Sequence, residues 1–108
     1  FPSLENPYLF NGDFVDRGSF SVECMLALYL WKLHDPKTMY LNRGNHEGKN
    51  MNKLYGFEGE VKHKYCDKTM LLFAHSFNNL PLYEVITSKP QPLSTSGVDA
   101  TTSFFKHK

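Results

Sequence analysis

The sequence predicts an α/β fold in which short parallel strands alternate with helices. Two observations support this prediction. Apolar runs of strand length alternate with longer segments whose apolar residues recur at helical spacing. The strand-length runs in the first half of the chain lead into polar segments that contain glycine, as strands that end in turns usually do. This order of elements indicates two strand–helix–strand units, which build a mostly parallel, buried sheet.

The first strand–helix–strand unit occupies the first half of the chain. Its predicted elements are, in order, a strand over residues 8–11, a helix over residues 19–33 and a strand over residues 38–41. We expect Ser19 or Ser21 to cap the helix, because serine side chains accept hydrogen bonds from the first helical N–H groups. We expect Asp35-Pro36 to end it, since the residue before a proline avoids the helical conformation.

The second unit extends to residue 86. Its predicted elements are a short helix over residues 49–55, a long helix over residues 58–77 and a strand over residues 80–86. Beyond it the chain is rich in Ser, Thr and Pro and has no clear period. We therefore predict one domain, or part of one, over residues 1–86 and a divergent, disordered tail over residues 87–108.

Composition narrows the functional classes. The 12 basic and 11 acidic residues give a net charge of +1, which favours neither a nucleic-acid partner nor an acidic tail. No apolar run approaches the roughly 18 residues of a membrane span, and no signal peptide is evident. Cys24 and Cys66 do not form a CxxC pair, so we expect both to be reduced in an intracellular protein of the cytoplasm or nucleus. The chain starts at Phe1 rather than Met, and we expect it to be a fragment.

Polar clusters follow the first two predicted strands. Asp13, Asp16 and Arg17 follow the first strand, and Asn45 and His46 follow the second. In parallel sheets, ligands gather at the carboxyl ends of the strands. We therefore expect the two clusters to lie at the same edge of the sheet.

These residue types permit two interpretations. Each cluster alone is typical of a polar turn. Together they favour a site for metal and phosphate, since Asp13, Asn45 and His46 offer donors that suit Mn, Fe or Zn. Arg17 carries a planar fork that grips phosphate oxygens. His46 could instead protonate a leaving alkoxide, with Asp16 orienting its ring.

Other residues of these chemical types are given structural roles. Cys24 is predicted to lie in the core on its helix. The remaining histidines are predicted to be surface or helix residues, namely His34, His63, His75 and His107. A group of lysines is predicted to form a solvated face rather than a nucleic-acid patch, namely Lys49, Lys53, Lys62 and Lys64.

Three segments, "GDFVDRGS", "LNRGNHE" and "YGFEGEV", resemble the phosphoprotein phosphatase family of Ser/Thr phosphatases. The resemblance covers about residues 3–86 and implies part of a calcineurin-like metallophosphoesterase sandwich. It also implies two divalent metal ions of the Mn, Fe or Zn class and hydrolysis of phosphoserine and phosphothreonine in phosphoprotein substrates. The regulatory partners stay unspecified.

The resemblance also implies a role for each residue at the strand ends. Asp13 matches the carboxylate that bridges both metals. Asn45 matches a ligand of one metal and a contact to the substrate phosphate, and Arg17 matches a phosphate clamp. His46 matches the general acid rather than a metal ligand, with Asp16 as its partner.

Part of the family pattern has no match in this sequence. The Gly-Asp-x-His-Gly motif would precede residue 1, and the later metal-binding histidines and second phosphate-binding arginine are not matched. Only Asp13 and Asn45 remain of the ligand set, whereas metal sites usually use three or four protein ligands per ion. We expect the chain to carry part of a phosphatase site. The alternative is a non-catalytic fragment or a partner-binding module.

Overall fold

The computed structural model describes residues 1–87 and 102–104 of the chain. Its elements are β1 (Tyr8–Phe10), α1 (Ser21–His34), β2 (Met39–Leu41), α2 (Lys49–Tyr55), α3 (Phe57–Lys64), α4 (Asp67–Asn78), β3 (Glu84–Ile86) and β4 (Thr102–Phe104). This α/β architecture with a parallel strand pair confirms the predicted fold class. Among the described residues, no helix has the length and apolar character that crossing a membrane requires.

The strands β1 and β2 pair in parallel, with α1 as the connection between them. Tyr8 lies opposite Met39 and Phe10 opposite Leu41. The Asn42 N–H extends the ladder by donating to the Phe10 carbonyl at 2.8 Å. The first predicted strand–helix–strand unit is therefore present, and both strands deliver their following loops to the same edge of the sheet.

The strand β3 does not extend this parallel pair. It pairs antiparallel with β4, and the two pairs form separate sheets in the described part of the chain. Within the described residues, the prediction of a second parallel strand–helix–strand unit is therefore wrong. The segment before β3 instead meets the loop after β2, because the Arg43 N–H donates to the Pro81 carbonyl at 2.7 Å. Apart from Thr87 and β4, the predicted tail over residues 87–108 lies outside the described residues.

The predicted long helix over residues 58–77 is two helices, α3 and α4. The chain leaves the helical conformation at Tyr65 and Cys66, and Cys66 is extended with φ −162° and ψ 173°. In one straight helix Val61 and Phe77 would point about 160° apart, since each residue turns the helix by about 100°. The break lets both side chains enter one core, where each is almost completely buried.

The hydrophobic core lies between α1, α3 and α4. The ring of Phe57 is fully buried and lies 5.3 Å from the ring of Phe73 and 5.6 Å from that of Phe77. Helix α1 contributes Val22 and Met25 to this cluster. Cys24, predicted to be a core residue, is exposed instead, because its neighbour Met25 occupies the buried face of the helix.

The start of α1 is capped from a distant helix. Its N-cap residue, Phe20, makes no side-chain cap, so the predicted cap by Ser19 or Ser21 is wrong. The Glu60 carboxylate of α3 instead accepts the N–H groups of Ser21 at 3.3 Å and Val22 at 2.9 Å. Such bonds satisfy donors that a helix start leaves unpaired and complement the positive end of its dipole.

The Glu60→Ala change tests this long-range cap. We expect it to lower the free energy of unfolding by about 1–2 kcal/mol, since removal of the buried carboxylate leaves two helical N–H groups without their acceptor. Urea unfolding followed by circular dichroism measures the change. The matched control is Glu58→Ala on the same helix, whose carboxylate pairs with the exposed Lys62. Equal loss of stability in both variants would contradict the capping role.

Candidate active site

Two loops form the candidate site at the carboxyl ends of β1 and β2. We call residues 11–20 the first loop and residues 42–48 the second loop. They touch through backbone at Gly12 and Gly44, where a Cβ on Gly12 would lie 2.2 Å from the Gly44 nitrogen. A Cβ on Gly44 would lie 2.2 Å from Asp13 Oδ1. Only glycine permits this approach, which brings the two predicted clusters together as the sequence indicates.

The carboxylate of Glu47 joins the two loops. It is fully buried. Its Oε2 accepts the N–H groups of Asp13 and Gly44, each at 2.7 Å, and its Oε1 accepts that of Phe14 at 2.6 Å. Sequence reasoning missed this residue, although it stands inside the "LNRGNHE" segment. Neither its spacing nor its neighbours indicate that it is buried.

The first loop holds non-glycine residues in the left-handed backbone region. Asp13 has φ 62°, Asp16 has φ 78° and Arg17 has φ 62°. Residues in this region cost of order 1–3 kcal/mol each and cluster at functional sites, where surrounding contacts hold them. Here the Arg17 N–H donates to the Tyr55 carbonyl at 3.1 Å. The left-handed turns place the polar side chains of this loop beside the second loop.

A short hydrogen bond links Asp16 and His46. The distance from His46 Nδ1 to Asp16 Oδ2 is 2.8 Å. The His46 side chain is 9% exposed and the Asp16 side chain is 0% exposed. The other oxygen of Asp16 accepts the Phe57 N–H at 2.9 Å, and the amide of Asn52 lies 3.3 Å from Oδ2. The His46 N–H donates to Asp13 Oδ1 at 3.1 Å. The predicted acid pair is therefore assembled and adjacent to the predicted bridging carboxylate.

Tyr55 packs against the side chains of Arg17 and His46. The guanidinium of Arg17 lies 4.9 Å from the centre of the Tyr55 ring, and the His46 ring lies 5.4 Å from it. Arg17 is exposed, so its N–H groups can reach a ligand in solvent. Sequence reasoning did not select Tyr55, although it opens the "YGFEGEV" segment. The tyrosine holds the arginine beside the acid pair by cation–π attraction.

Asp13 and Asn45 offer oxygen donors of the type that divalent ions bind, but two such residues are fewer than a metal site usually uses. Asp13 follows β1, and Asn45 is exposed on the second loop. The described residues contain no group of three or more His, Cys, Asp or Glu side chains that could hold a metal ion. Since metal sites usually use three or four protein ligands per ion, the described chain offers part of such a site.

The other histidines and the lysines lie outside the site. His34, His63 and His75 are exposed on helices, as predicted, and His107 lies outside the described residues. The four predicted surface lysines are exposed. Lys64 also bridges α3 to α1, and its hydrogen bond to Glu23 raises the pKa of its ammonium group.

Comparisons with known proteins agree with this arrangement. The family model described as calcineurin-like phosphoesterase matches residues 1–107. Serine/threonine-protein phosphatase 5 of Arabidopsis thaliana is 62% identical over 88 residues, which cover 82% of this chain and 16% of the relative. The human protein of the same name is 58% identical over 88 residues, covering 82% of this chain and 18% of the relative.

A solved structure also resembles the fold. A protein serine/threonine phosphatase from Saccharomyces cerevisiae aligns with a TM-score of 0.74 and 54% identity, over 76% of this chain and 26% of that one. The chain thus spans less than a fifth of the length of the curated relatives named above. Since the family model matches nearly every residue, the chain belongs to the calcineurin-like phosphoesterase family.

Proposed function

We propose that this chain supplies the phosphate-binding and proton-donating part of a metal-dependent protein serine/threonine phosphatase. The observation that carries the proposal is the buried Asp16–His46 bond, placed beside Asp13 and Arg17 on loops that Glu47 joins. Relatives that share most of this segment are named serine/threonine-protein phosphatases. The substrate class that fits is a protein carrying phosphoserine or phosphothreonine.

His46 acts as the general acid in this proposal. Hydrolysis of a phosphoserine releases an alkoxide, which is a poor leaving group unless it gains a proton as the bond to phosphorus breaks. With Nδ1 bonded to Asp16, the second ring nitrogen of His46 can give its proton to that oxygen. Asp16 stabilises the protonated ring and holds its orientation, because its carboxylate is buried and bonded on both oxygens.

Arg17 and Asn45 bind the phosphate group in this proposal. The Arg17 guanidinium is planar and presents parallel N–H groups that match two phosphate oxygens. Its contact with Tyr55 restrains it in a position that remains open to solvent. Asn45 is exposed on the neighbouring loop, where its side-chain amide can reach the same ligand.

Asp13 and Asn45 would hold the divalent ions of such a site. When bound, ions of the Mn, Fe or Zn class make a coordinated water more acidic and neutralise phosphate charge. Two oxygen donors are too few to retain two ions against water, so turnover requires further donors. We therefore test the proposal in a segment exchange, in which residues of this chain replace the matching segment of the Arabidopsis relative.

We also propose an intracellular location, in the cytoplasm or the nucleus. Cys24 and Cys66 are both free and both exposed. Exposed thiols of this kind persist in reducing compartments, which supports the proposal. Hydrogen bonds from Thr69 to Cys66 lower the pKa of its thiol, which favours the thiolate form that oxidants attack.

The Asp13→Asn change tests the metal-binding role. We expect the segment-exchange protein to hydrolyse a phosphoserine peptide with added manganese, and Asp13→Asn to remove most of this activity and weaken manganese retention. The matched control is Asp67→Asn, because Asp67 is exposed at the start of α4, where it pairs with Lys62. Hydrolysis by Asp13→Asn at the unaltered rate would contradict the assignment. An inactive exchange protein that folds would contradict the proposed function.

The Arg17→Lys change tests the phosphate clamp. An ammonium group keeps the charge but cannot form two parallel bonds. We expect kcat/KM for the phosphoserine peptide to fall about tenfold or more, with the melting temperature nearly unchanged. The contrasting variant is Arg43→Lys, which should lose stability because the Arg43 side chain bonds the Glu47 carbonyl and Asn78. If Arg17→Lys were destabilised and kinetically normal, Arg17 would be a structural residue.

A further inference from the structure

The amide side chain of Asn52 is a buried group that the proposed mechanism does not yet use. Asn52 lies in α2 and is fully buried. Its Nδ2 donates to the His46 carbonyl at 2.6 Å and lies 3.3 Å from Asp16 Oδ2. One amide nitrogen therefore contacts both members of the acid pair, one through its backbone and the other through its carboxylate.

This geometry links the His46 backbone, through the Asn52 amide, to Asp16, whose carboxylate bonds the His46 ring. Asp16 belongs to the first loop and His46 to the second, so their separation depends on contacts between loops. The Asn52 amide bridges them from α2, the helix that follows the second loop, and the Asn52 N–H makes the first-turn bond of α2 to the carbonyl of its N-cap residue, Gly48, at 3.0 Å. Displacement of either loop would break at least one of these bonds.

The Asn52 oxygen argues against a purely packing role. Its Oδ1 is buried and has no hydrogen-bond partner among the residues that the structure describes. A buried polar atom without a partner is costly, and an apolar side chain of the same size would avoid that cost. Within the described part of the chain, the Asn52 side-chain amide bonds only Asp16 and His46, which are the two residues of the acid pair.

We propose that Asn52 is a positioning residue for the general acid His46. By donating to Asp16 and to the His46 backbone, it keeps the carboxylate aligned with Nδ1 of the ring. The bond between the Asp16 carboxylate and Nδ1 of His46 selects the tautomer that carries hydrogen on Nδ1, because the hydrogen-bond partner of one ring nitrogen fixes where the proton resides. The inference rests on the proposed function for its catalytic meaning, while the placement of the ring can be tested without catalysis.

The test compares Asn52→Leu and Asn52→Ala with the unaltered 108-residue chain. Leucine keeps the branched shape of asparagine with a larger volume and removes the donor, while alanine removes both the donor and the branched end of the side chain. Long-range proton–nitrogen NMR of histidine-labelled chains, at one pH where the rings are neutral, reports the tautomer of His46. The exposed rings of His63 and His75 serve as internal references for histidines on the surface. The matched control is Asn50→Leu, an exposed position on the same helix.

We expect His46 to be mainly the Nδ1–H tautomer in the unaltered chain and in Asn50→Leu. In both Asn52 variants we expect the Nε2–H fraction to rise several-fold, toward the value of the reference histidines. An unchanged tautomer in Asn52→Leu would overturn the proposal, as would a His46 that matches the references in the unaltered chain. Loss of the whole dispersed spectrum in both variants would make Asn52 a residue of the fold and would also overturn it.

This measurement separates the inference from the proposed function. It needs no metal ion, no substrate and no turnover, so its outcome does not depend on whether the segment-exchange protein is active. A change in tautomer together with an inactive exchange protein would support the placement by Asn52 and contradict phosphatase function. An active exchange protein with an unchanged tautomer would support phosphatase function and contradict the placement of His46 by Asn52.

Discussion

The buried carboxylate of Glu47 is the interaction on which the geometry of the site depends. A carboxylate withdrawn from water is costly unless hydrogen bonds replace its hydration. Glu47 gains three such bonds, and all come from backbone N–H groups of the two loops. These bonds hold Asp13 in its left-handed conformation and keep Gly44 in close contact with it. The strained backbone and the close approach of the loops are therefore parts of one arrangement.

The hydrophobic core extends this arrangement into the rest of the molecule. Val15 lies between Asp13 and Asp16 in the first loop, and its side chain is buried in the core cluster. Phe57 fills the centre of that cluster, while its N–H donates to Asp16. The same residues thus stabilise the fold and fix the acid pair. A change in core packing would consequently alter the candidate site without replacing Asp16 or His46.

Sequence reasoning could find the local features and missed those that depend on distant contacts. The clusters at Asp13 and His46 were predictable, because strand ends in a parallel pair share an edge. Glu47 bonds residues 33 and 34 positions away, and Glu60 caps a helix 38 and 39 positions away. The apolar spacing predicts one long helix through Tyr65 and Cys66, because it does not reveal the break that lets Val61 and Phe77 enter the same core. The partner of β3 is likewise set by long-range contacts rather than by its own residues.

Native-state amide hydrogen exchange tests the role of Glu47 most directly. The N–H groups of Asp13, Phe14 and Gly44 should exchange slowly in the unaltered chain. In Glu47→Gln an amide nitrogen replaces one accepting oxygen, so exchange of at least one of these groups should accelerate about tenfold or more. The Phe73 amide, within α4, should keep its protection. Equally slow exchange of all three loop amides in both chains would contradict the claim that this carboxylate holds the site together.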